Sequence, residues 1–215
     1  MFKENKAIIF DMDGVITNTM PYHYRCWKEI FRKNNLLVSR FDVYSREGQK
    51  GIESVIEIFK EKGKTISLKK AEEILKEKER RFKKIVKKRF IVGSKTFLKE
   101  LSLKGFKLGL VTGTSRKEIH KILPSNMYNL FSVIITGTDV HKGKPHPEPY
   151  LKCLKKLHLK PCHCLVVENA PFGIQSAKKA KIPCVALTTS LPKKYLKESD
   201  WIVSSIKELR KMIFK

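Results

Sequence analysis

Six short apolar runs restrict the fold of this chain more than any other feature of its sequence. Each lacks the apolar-polar alternation of a half-exposed strand, and the later ones alternate with stretches of helical periodicity: Ala7–Phe10, Lys107–Val111, Val133–Thr136, Leu165–Val167, Val185–Leu187 and Trp201–Val203. Unbroken apolar runs are typical of strands buried on both faces, and their alternation with helices is typical of a parallel sheet. The sequence therefore predicts an α/β fold built on a parallel sheet.

A long helical segment separates the first two predicted strands. Between about Asn18 and Phe90 the apolar residues recur with helical spacing, and no run there has the character of a strand. A simple crossover between parallel strands is shorter than this. We therefore expect a core domain formed by residues 1–17 and 93–215, with residues 18–92 inserted as a helical domain over the carboxyl end of the first strand.

The chain is strongly basic, with a formal net charge of +25 over 215 residues. Such a charge occurs in proteins that bind polyanions and in proteins with a lysine-rich solvated surface. In the densest basic stretch, Lys76 to Arg89, the charges flank a stripe of apolar residues at helical spacing: Ala71, Ile74, Leu75, Phe82, Ile85 and Val86. No groove-reading motif or aromatic platform accompanies it. Nucleic-acid binding is therefore not expected, whereas the field would attract small phosphorylated substrates.

Cysteine content and hydropathy indicate the compartment. The five cysteines are odd in number and scattered, which argues against a disulfide framework and favours reducing conditions. Cys162, His163 and Cys164, with His158 nearby, lack the spacing of a zinc knuckle, so buried or incidental thiols are the simpler interpretation. No apolar run reaches the roughly 18 residues that span a bilayer, and the early acidic residues exclude a signal peptide. We expect a cytoplasmic protein without membrane contact, monomeric or weakly dimeric.

Two carboxylates follow the first predicted strand directly, at Asp11 and Asp13, and Gly14 then permits a sharp turn. Taken alone, an Asp-Met-Asp sequence is more often a solvated turn than a site. At the carboxyl end of a parallel strand, however, it lies where open α/β sheets bind ligands. Two crowded carboxylates also repel each other unless a cation or a difference in protonation separates their roles. The pair is therefore predicted to be catalytic and to hold a hard divalent metal ion.

The second strand also ends in groups that suit an anion. It is followed by Thr112, Gly113 and Thr114 at the start of a predicted helix, where free backbone amides favour phosphate and a glycine permits close approach. An N-cap by Thr114 or Ser115 is the simpler interpretation, and both can hold. On the first interpretation, Gly113 and Thr114 contact the phosphate of a substrate.

The third and fourth strand ends add a cation and further oxygen donors. Lys144 stands in a proline-rich loop ahead of a helix predicted from Tyr150, and this loop would fix its ammonium group beside the paired carboxylates. Glu168 and Asn169 follow the fourth strand and could supply oxygen ligands to a metal. In so lysine-rich a chain, Lys144 is informative only together with the other strand ends.

The ordered set of Asp-x-Asp, Thr, Lys and Glu-Asn resembles the haloacid dehalogenase-like phosphohydrolases, and the resemblance covers nearly the whole chain. It implies a Rossmann-like core with an inserted α-helical cap. It also implies that Asp11 is the nucleophile that becomes an aspartyl phosphate, that Asp13 is the general acid and base, and that Thr112 and Lys144 bind phosphate. The paired aspartates favour phosphoryl transfer over dehalogenation.

The same resemblance implies magnesium as the cofactor, held by Asp11, Asp13, Glu168 and Asn169. Many relatives have a second carboxylate where this chain has Asn169. A neutral amide removes one charge from the site, so weaker metal binding or a different set of ligands is an open alternative.

Within that superfamily the segment Thr17–Trp27 is similar to the β-phosphoglucomutase-like branch. His23 and Trp27 lie four residues apart and share one helix face, which fits either core packing or contact with a substrate. The resemblance favours contact, and it adds Thr19 as a further substrate-binding residue. Lys78 lies on the apolar side of its predicted helix, where it would either reach outward to solvent or close over a phosphate.

A mutase must hold a second phosphate, and the arginine that does so in the mutases aligns with Gly51 in this chain. Arg116 or Lys50 could replace it. Three hypotheses follow: a magnesium-dependent phosphatase of small phosphorylated metabolites, such as sugar phosphates; a β-phosphoglucomutase; and a basic nucleic-acid-binding protein without catalysis. A phosphatase needs one phosphate pocket and a path for water, and it is the preferred interpretation.

Overall fold

A computed structural model describes residues 6–215, so residues 1–5 of the predicted core lie outside the described residues. Six parallel strands form one sheet in the order β3-β2-β1-β4-β5-β6: β1 Ala7–Phe10, β2 Lys107–Val111, β3 Val133–Ile135, β4 Cys164–Glu168, β5 Cys184–Leu187 and β6 Trp201–Val203. Every predicted strand is present, with ends that differ by at most one residue. This is the strand order of a Rossmann-like, doubly wound sheet, and the predicted fold class is confirmed.

Ten α-helices cover residues 6–215 of the chain: α1 Met20–Lys33, α2 Arg40–Tyr44, α3 Gly51–Glu61, α4 Leu68–Ile85, α5 Ser94–Leu103, α6 Arg116–Ile122, α7 Ser125–Tyr128, α8 Glu148–Leu157, α9 Pro171–Lys179 and α10 Ile206–Ile213. Two short 3-10 turns, Pro161–His163 and Lys193–Tyr195, precede β4 and β6. The helix predicted from Tyr150 begins two residues earlier, at Glu148, because a proline is compatible with the first turn of a helix.

Both faces of the sheet are buried, as the unbroken apolar runs predict. In β1, Ile8 and Phe10 belong to one hydrophobic cluster and Ala7 and Ile9 to the other, which is the two-residue period of a strand. Helices α8 and α9 pack on the sheet on the Ile9 side, while α5 lies on the other side against β2 and α10. The core of the protein is therefore the sheet and its two helical layers.

The segment between β1 and α5 contains only helices, α1 to α4, which pack on one another. Helix α4 buries Ala71, Ile74 and Phe82 and leaves all of its lysines except Lys78 exposed, so the lysine-rich stretch is an amphipathic helix as predicted. The helix ends at Ile85, however, and Val86 is already extended. It ends there because the chain returns to the sheet, where Phe90 pairs with Thr17 in an antiparallel bridge.

The five cysteines are free thiols, and four of them are buried. Cys162, the exposed one, belongs to the turn that leads into β4. Among residues 6–215, none of the helices combines the length and the apolar character needed to cross a membrane.

Candidate active site

The carboxyl ends of β1, β2 and β4 and the loop after β3 meet at one edge of the sheet, where they bring the predicted groups together. Lys144 lies at the centre of this cluster. Its Nζ donates to Asp11 Oδ1 at 2.7 Å, to Glu168 Oε1 at 2.6 Å and to the carbonyl oxygen of Val111 at 3.1 Å. All three side chains are almost completely buried. Lys144, the cation predicted after the third strand, therefore bridges the carboxylates that follow the first and fourth strands, Asp11 and Glu168.

The electrostatics of this bridge follow from burial and close charges. Burial raises the pKa of Asp11 to about 8, opposed by Lys144 and reinforced by the carboxylates of Glu168 and Asp13. Burial disfavours the charged form of Lys144, but Asp11 and Glu168 outweigh it and raise the pKa of the ammonium. Lys144 is thus a permanent cation, and any further cation beside Asp11 would favour its carboxylate form.

Asp13 lies in a second, separate hydrogen-bond network. Its carboxylate accepts a close hydrogen bond from the Thr19 hydroxyl and another from the Thr114 hydroxyl at 3.2 Å, and His23 Nε2 lies 3.5 Å away. Burial opposes ionisation, but His23 and Thr19 together lower the pKa of Asp13 below its usual value. The two aspartates therefore occupy different environments, which is the condition for different roles in catalysis.

The loop after β2 reaches the same place. Thr112 is buried, and its hydroxyl accepts a hydrogen bond from the backbone amide of Thr114 at 3.1 Å. Ser115 occupies the N-cap position of α6 without a capping side-chain bond, while Thr114 directs its hydroxyl to Asp13. Of the two interpretations of this loop, the simple N-cap is therefore not observed.

The donor set fits a hard cation only in part. Asp11 Oδ2 and Asn169 Oδ1 are buried and accept no hydrogen bond, and the Asn169 amide is oriented by Nδ2 donating to Ser190 Oγ at 2.7 Å. Glu168 is committed elsewhere, because Oε1 also accepts from Tyr150 Oη at 2.6 Å and Oε2 accepts from the backbone amide of Asn169. Within residues 6–215, no group of three or more His, Cys, Asp or Glu side chains is arranged to hold a metal.

Two unpaired oxygens nonetheless suit magnesium, which is commonly bound by one or two protein oxygens together with water and substrate phosphate. The residues that would hold it here are Asp11 and Asn169. Glu168 instead serves as a counterion of Lys144 in this structure.

A cavity of about 380 Å³ opens beside the carboxylates, between the sheet edge and the inserted helices. His23, Trp27 and Lys78 line it together with Gly113 and Thr114. Lys78 Nζ lies 3.0 Å from His23 Nδ1 and 5.3 Å from the centre of the Trp27 ring, so its side chain points inward. Burial and then the Lys78 ammonium lower the pKa of His23. The structure thus brings the predicted substrate-binding residues of the helical segment to the carboxylates.

The two cations considered as replacements for the missing arginine are engaged elsewhere. Arg116 pairs with Asp139 at 2.7 Å and donates to the carbonyl oxygen of Ile134 at 3.2 Å, and it does not line the cavity. Lys50 Nζ donates to the carbonyl oxygens of Val140 and His141 at 3.2 and 3.1 Å. Arg116 therefore stabilises the core, and Lys50 ties the loop before α3 to the loop that carries Lys144.

Sequence reasoning missed Glu47, which stands in the loop between α2 and α3 and lines the same cavity. The next residue, Gly48, packs its backbone against the Lys144 side chain, and a Cβ on Gly113 would lie 2.9 Å from the Gly48 carbonyl carbon. Gly48 has φ +80°, a conformation that favours glycine. The sequence signal that could have indicated Glu47 is its position directly before Gly48, a residue type that permits a sharp turn.

Together these groups can transfer a phosphoryl group. Asp11 offers a free carboxylate oxygen as nucleophile, Asp13 can exchange a proton, and Lys144 and the amides near Thr112 can neutralise phosphate oxygens. The arrangement needs a substrate whose phosphate fits between Asp11 and the cavity.

The chain is similar to known proteins over most of its length. The model of the haloacid dehalogenase-like hydrolase family matches residues 8–187. A validoxylamine A 7'-phosphate phosphatase of Streptomyces hygroscopicus subsp. limoneus is 28% identical over 207 residues, covering 95% of this chain and 96% of its own length. The β-phosphoglucomutase of Bacillus subtilis (strain 168) is 32% identical over 197 residues, covering 87% and 85%. Among solved structures, a β-phosphoglucomutase of Clostridium difficile has the same fold, with a TM-score of 0.83 at 24% identity and coverage of 98% and 97%.

This chain belongs to the haloacid dehalogenase-like hydrolase family, in its β-phosphoglucomutase-like branch. It is an enzyme, either a phosphoric monoester hydrolase or a phosphomutase. The family and the enzyme class, predicted from the order of the four strand-end motifs, and the branch, predicted from Thr17–Trp27, are confirmed.

Proposed function

We propose that the chain is a magnesium-dependent phosphatase of small phosphorylated metabolites, sugar phosphates in particular, which acts through a phosphorylated Asp11. One observation carries the proposal: the Lys144 ammonium holds Asp11 Oδ1 and leaves Asp11 Oδ2 buried without a hydrogen bond. A carboxylate that a buried cation holds in place is positioned to attack, and its unpaired oxygen is left for the metal ion.

The chain's own residues supply both halves of the reaction. In the first, an Asp11 oxygen forms a bond to phosphorus while the bond to the leaving oxygen breaks, and Asp13 gives that oxygen its proton. In the second, Asp13 takes a proton from water, whose oxygen attacks phosphorus and releases Asp11. The bound phosphate brings negative charge beside Asp13 and raises its pKa toward the protonated form that the first half requires. Magnesium, when bound at Asp11 and Asn169, would add positive charge for the phosphate oxygens.

The mutase is the second candidate, favoured by the 32% identity to the β-phosphoglucomutase. A mutase must bind a bisphosphate in two orientations, so it needs a second cationic anchor. Gly51 offers none, and Lys50 and Arg116 are engaged by other residues. Of the described cations that line the cavity, Lys78 is the one engaged neither by an ion pair nor by a backbone carbonyl. This favours hydrolysis.

In this proposal residues 18–92 act as a cap on a core of residues 1–17 and 93–215, and Lys78 and His23 close over the substrate. The cap encloses the phosphate, while a path for water stays open to the phosphorylated Asp11. We further propose that the protein works in the cytoplasm as a monomer or weak dimer, without a nucleic-acid partner.

The test is to incubate the protein with magnesium, β-glucose 1-phosphate and a trace of β-glucose 1,6-bisphosphate, and to follow inorganic phosphate and glucose 6-phosphate together. Free phosphate without glucose 6-phosphate is expected. Abundant glucose 6-phosphate would make the chain a mutase. Asp11→Asn should abolish either product, and Asp200→Asn, an equivalent change outside the site, should not. If phosphate release survives Asp11→Asn, the proposal is wrong. Salt-sensitive binding of DNA that also survives it would favour the third hypothesis.

A further inference from the structure

The cavity beside the active site is an acidic region in a very basic protein. The chain carries 46 lysines and arginines against 21 aspartates and glutamates. Yet the wall formed by the inserted helices presents Glu47 and Glu79, and neither carboxylate forms an ion pair or hydrogen bond with another residue of 6–215 through its side chain. Unpaired carboxylates in a half-buried cavity are costly, which suggests that a ligand interacts with them.

The cations on the same wall compensate for them only in part, through Lys78. Arg46 is bound by Glu57, Glu61 and the carbonyl oxygen of Asp42, so its charge is directed away from the cavity. Lys50 donates to backbone carbonyls of the core, as described above. Lys78 therefore remains as the one cation of this wall, among the described lining residues, that is directed to the substrate.

Glu47 is the carboxylate placed to meet a leaving group. Its neighbour Gly48 touches the Lys144 side chain and the backbone of Gly113, so the loop that carries Glu47 lies directly over the phosphate site. Burial raises the pKa of Glu47 well above its usual range, and the negative charges of Asp13 and Asp11 raise it further. Glu47 itself lines the cavity that a leaving group would occupy.

We propose that Glu47 is the specificity-determining residue of the cap, which selects phosphate monoesters whose leaving group carries hydroxyl or ammonium groups and excludes those that carry a carboxylate or a second phosphate. This inference rests on the proposed phosphatase function and names its substrate class. An ammonium group favours the carboxylate form of Glu47 against the effect of burial, and a hydroxyl group can donate to that form. A second anion meets a charge of the same sign or keeps Glu47 protonated, and in neither case does Glu47 offset the negative charge, so affinity falls.

The experiment compares two matched pairs of 6-phosphates. Sorbitol 6-phosphate and 6-phosphogluconate are open chains that differ by a terminal carboxylate, and glucose 6-phosphate and glucosamine 6-phosphate are rings that differ by an amine. Phosphate release from each is measured as kcat and KM with the wild type, Glu47→Gln, Glu47→Lys and Glu53→Gln. Glu53 is a matched control because it lines the same cavity from α3 and burial also raises its pKa.

We expect the wild type to prefer sorbitol 6-phosphate over 6-phosphogluconate by about tenfold or more in kcat/KM, mainly through KM, and to accept glucosamine 6-phosphate at least as well as glucose 6-phosphate. Glu47→Gln should bring the first ratio close to one, Glu47→Lys should invert it, and Glu53→Gln should keep it. A variant that merely folds poorly would lower all four rates together and leave the ratios unchanged.

Two results would overturn the role of Glu47 and leave the phosphatase intact: equal hydrolysis of both open-chain substrates by the wild type, or the same loss of selectivity in Glu53→Gln. Absence of phosphate release from all four substrates and from a wider panel of monophosphates would instead contradict the proposed function, and the role of Glu47 with it.

Discussion

Replacing Lys144 by methionine tests the ion-pair bridge at the centre of the site. Methionine keeps most of the side-chain length and removes the charge, so Asp11 and Glu168 would remain buried without their shared counterion. At 2.7 and 2.6 Å each attraction is worth about 6 kcal/mol at an effective dielectric constant of about 20, before desolvation is subtracted. Deletion of one partner of a buried pair costs about 3–5 kcal/mol, because the other charge is left uncompensated.

We therefore expect Lys144→Met to lower the free energy of unfolding by about 3–5 kcal/mol at pH 9, or the melting temperature by about 6–20 °C for a chain of this length. The loss should be smaller at pH 6. An acid whose pKa is raised in the folded state loses stability as pH rises from its unfolded value, about 4, to its folded value, here about 8 for Asp11, and the loss stops there. Removing Lys144 raises that folded pKa further, so the loss continues above pH 8 in the variant alone and its difference from the wild type widens there.

The assay is urea unfolding at pH 6 and pH 9 in the presence of EDTA, which keeps divalent cations from replacing the lost ammonium. Lys33→Met is the control, because Lys33 pairs with Glu77 at 2.8 Å on the surface, where removal costs at most about 1 kcal/mol. A loss in Lys144→Met no larger than in the control, or one that does not grow between pH 6 and pH 9, would refute the buried bridge.

Three further predictions concern Asn169, Glu148 and Gly48. Asn169→Asp should lower the dissociation constant of magnesium about tenfold, measured by calorimetry, because it adds a charge to the oxygen that lacks a partner. An unchanged dissociation constant would place the metal elsewhere. Glu148→Gln should lower the free energy of unfolding by about 1 kcal/mol at pH 7, since two backbone amides and a partly exposed lysine hold the pKa of Glu148 at about 2. This loss should fade as pH falls from 5 to 3, and a constant difference in urea unfolding would contradict it. Gly48→Ala should reduce kcat about tenfold or more because a Cβ would collide with Lys144, whereas Gly63→Ala, which shares a positive φ but faces open space, should leave kcat alone; equal kinetics for the two variants would exclude a tight contact.

The strands could be predicted almost to the residue, because the inner strands are buried on both faces, the edge strands β3 and β6 are partly buried, and polar or turn-forming residues flank them. The end of α4 could not. Val86 continues the apolar stripe, yet the helix stops before it, since the chain must return to pair Phe90 with Thr17. That constraint comes from residues about seventy positions away, and no local pattern contains it.

The candidate site could be predicted as a set of strand ends, but not as a set of contacts. Parallel strands place their carboxyl ends together whatever the side chains are, so the convergence of Asp11, Lys144 and Glu168 follows from the fold. Which partner each side chain takes depends on tertiary neighbours. Glu168, a predicted metal ligand, accepts hydrogen bonds from Lys144 and Tyr150. Arg116, a predicted phosphate-binding residue, pairs with Asp139.

The loop before α3 shows that substrate selectivity depends on the charges that line the cavity and not on the net charge of the chain. With a net charge of +25, the protein as a whole attracts every phosphate ester, whatever its leaving group is. The core residues around Lys144 then hold the phosphate group that all such esters share. Discrimination between esters must come from the cavity wall that contacts the leaving group. On this wall Gly51 stands where the mutases have an arginine, Lys50 is bound to the core, and Glu47 adds a carboxylate. A wall of that composition disfavours the second phosphate that a mutase must hold, so in our proposal the residues that favour hydrolysis are also the ones that select among monoesters.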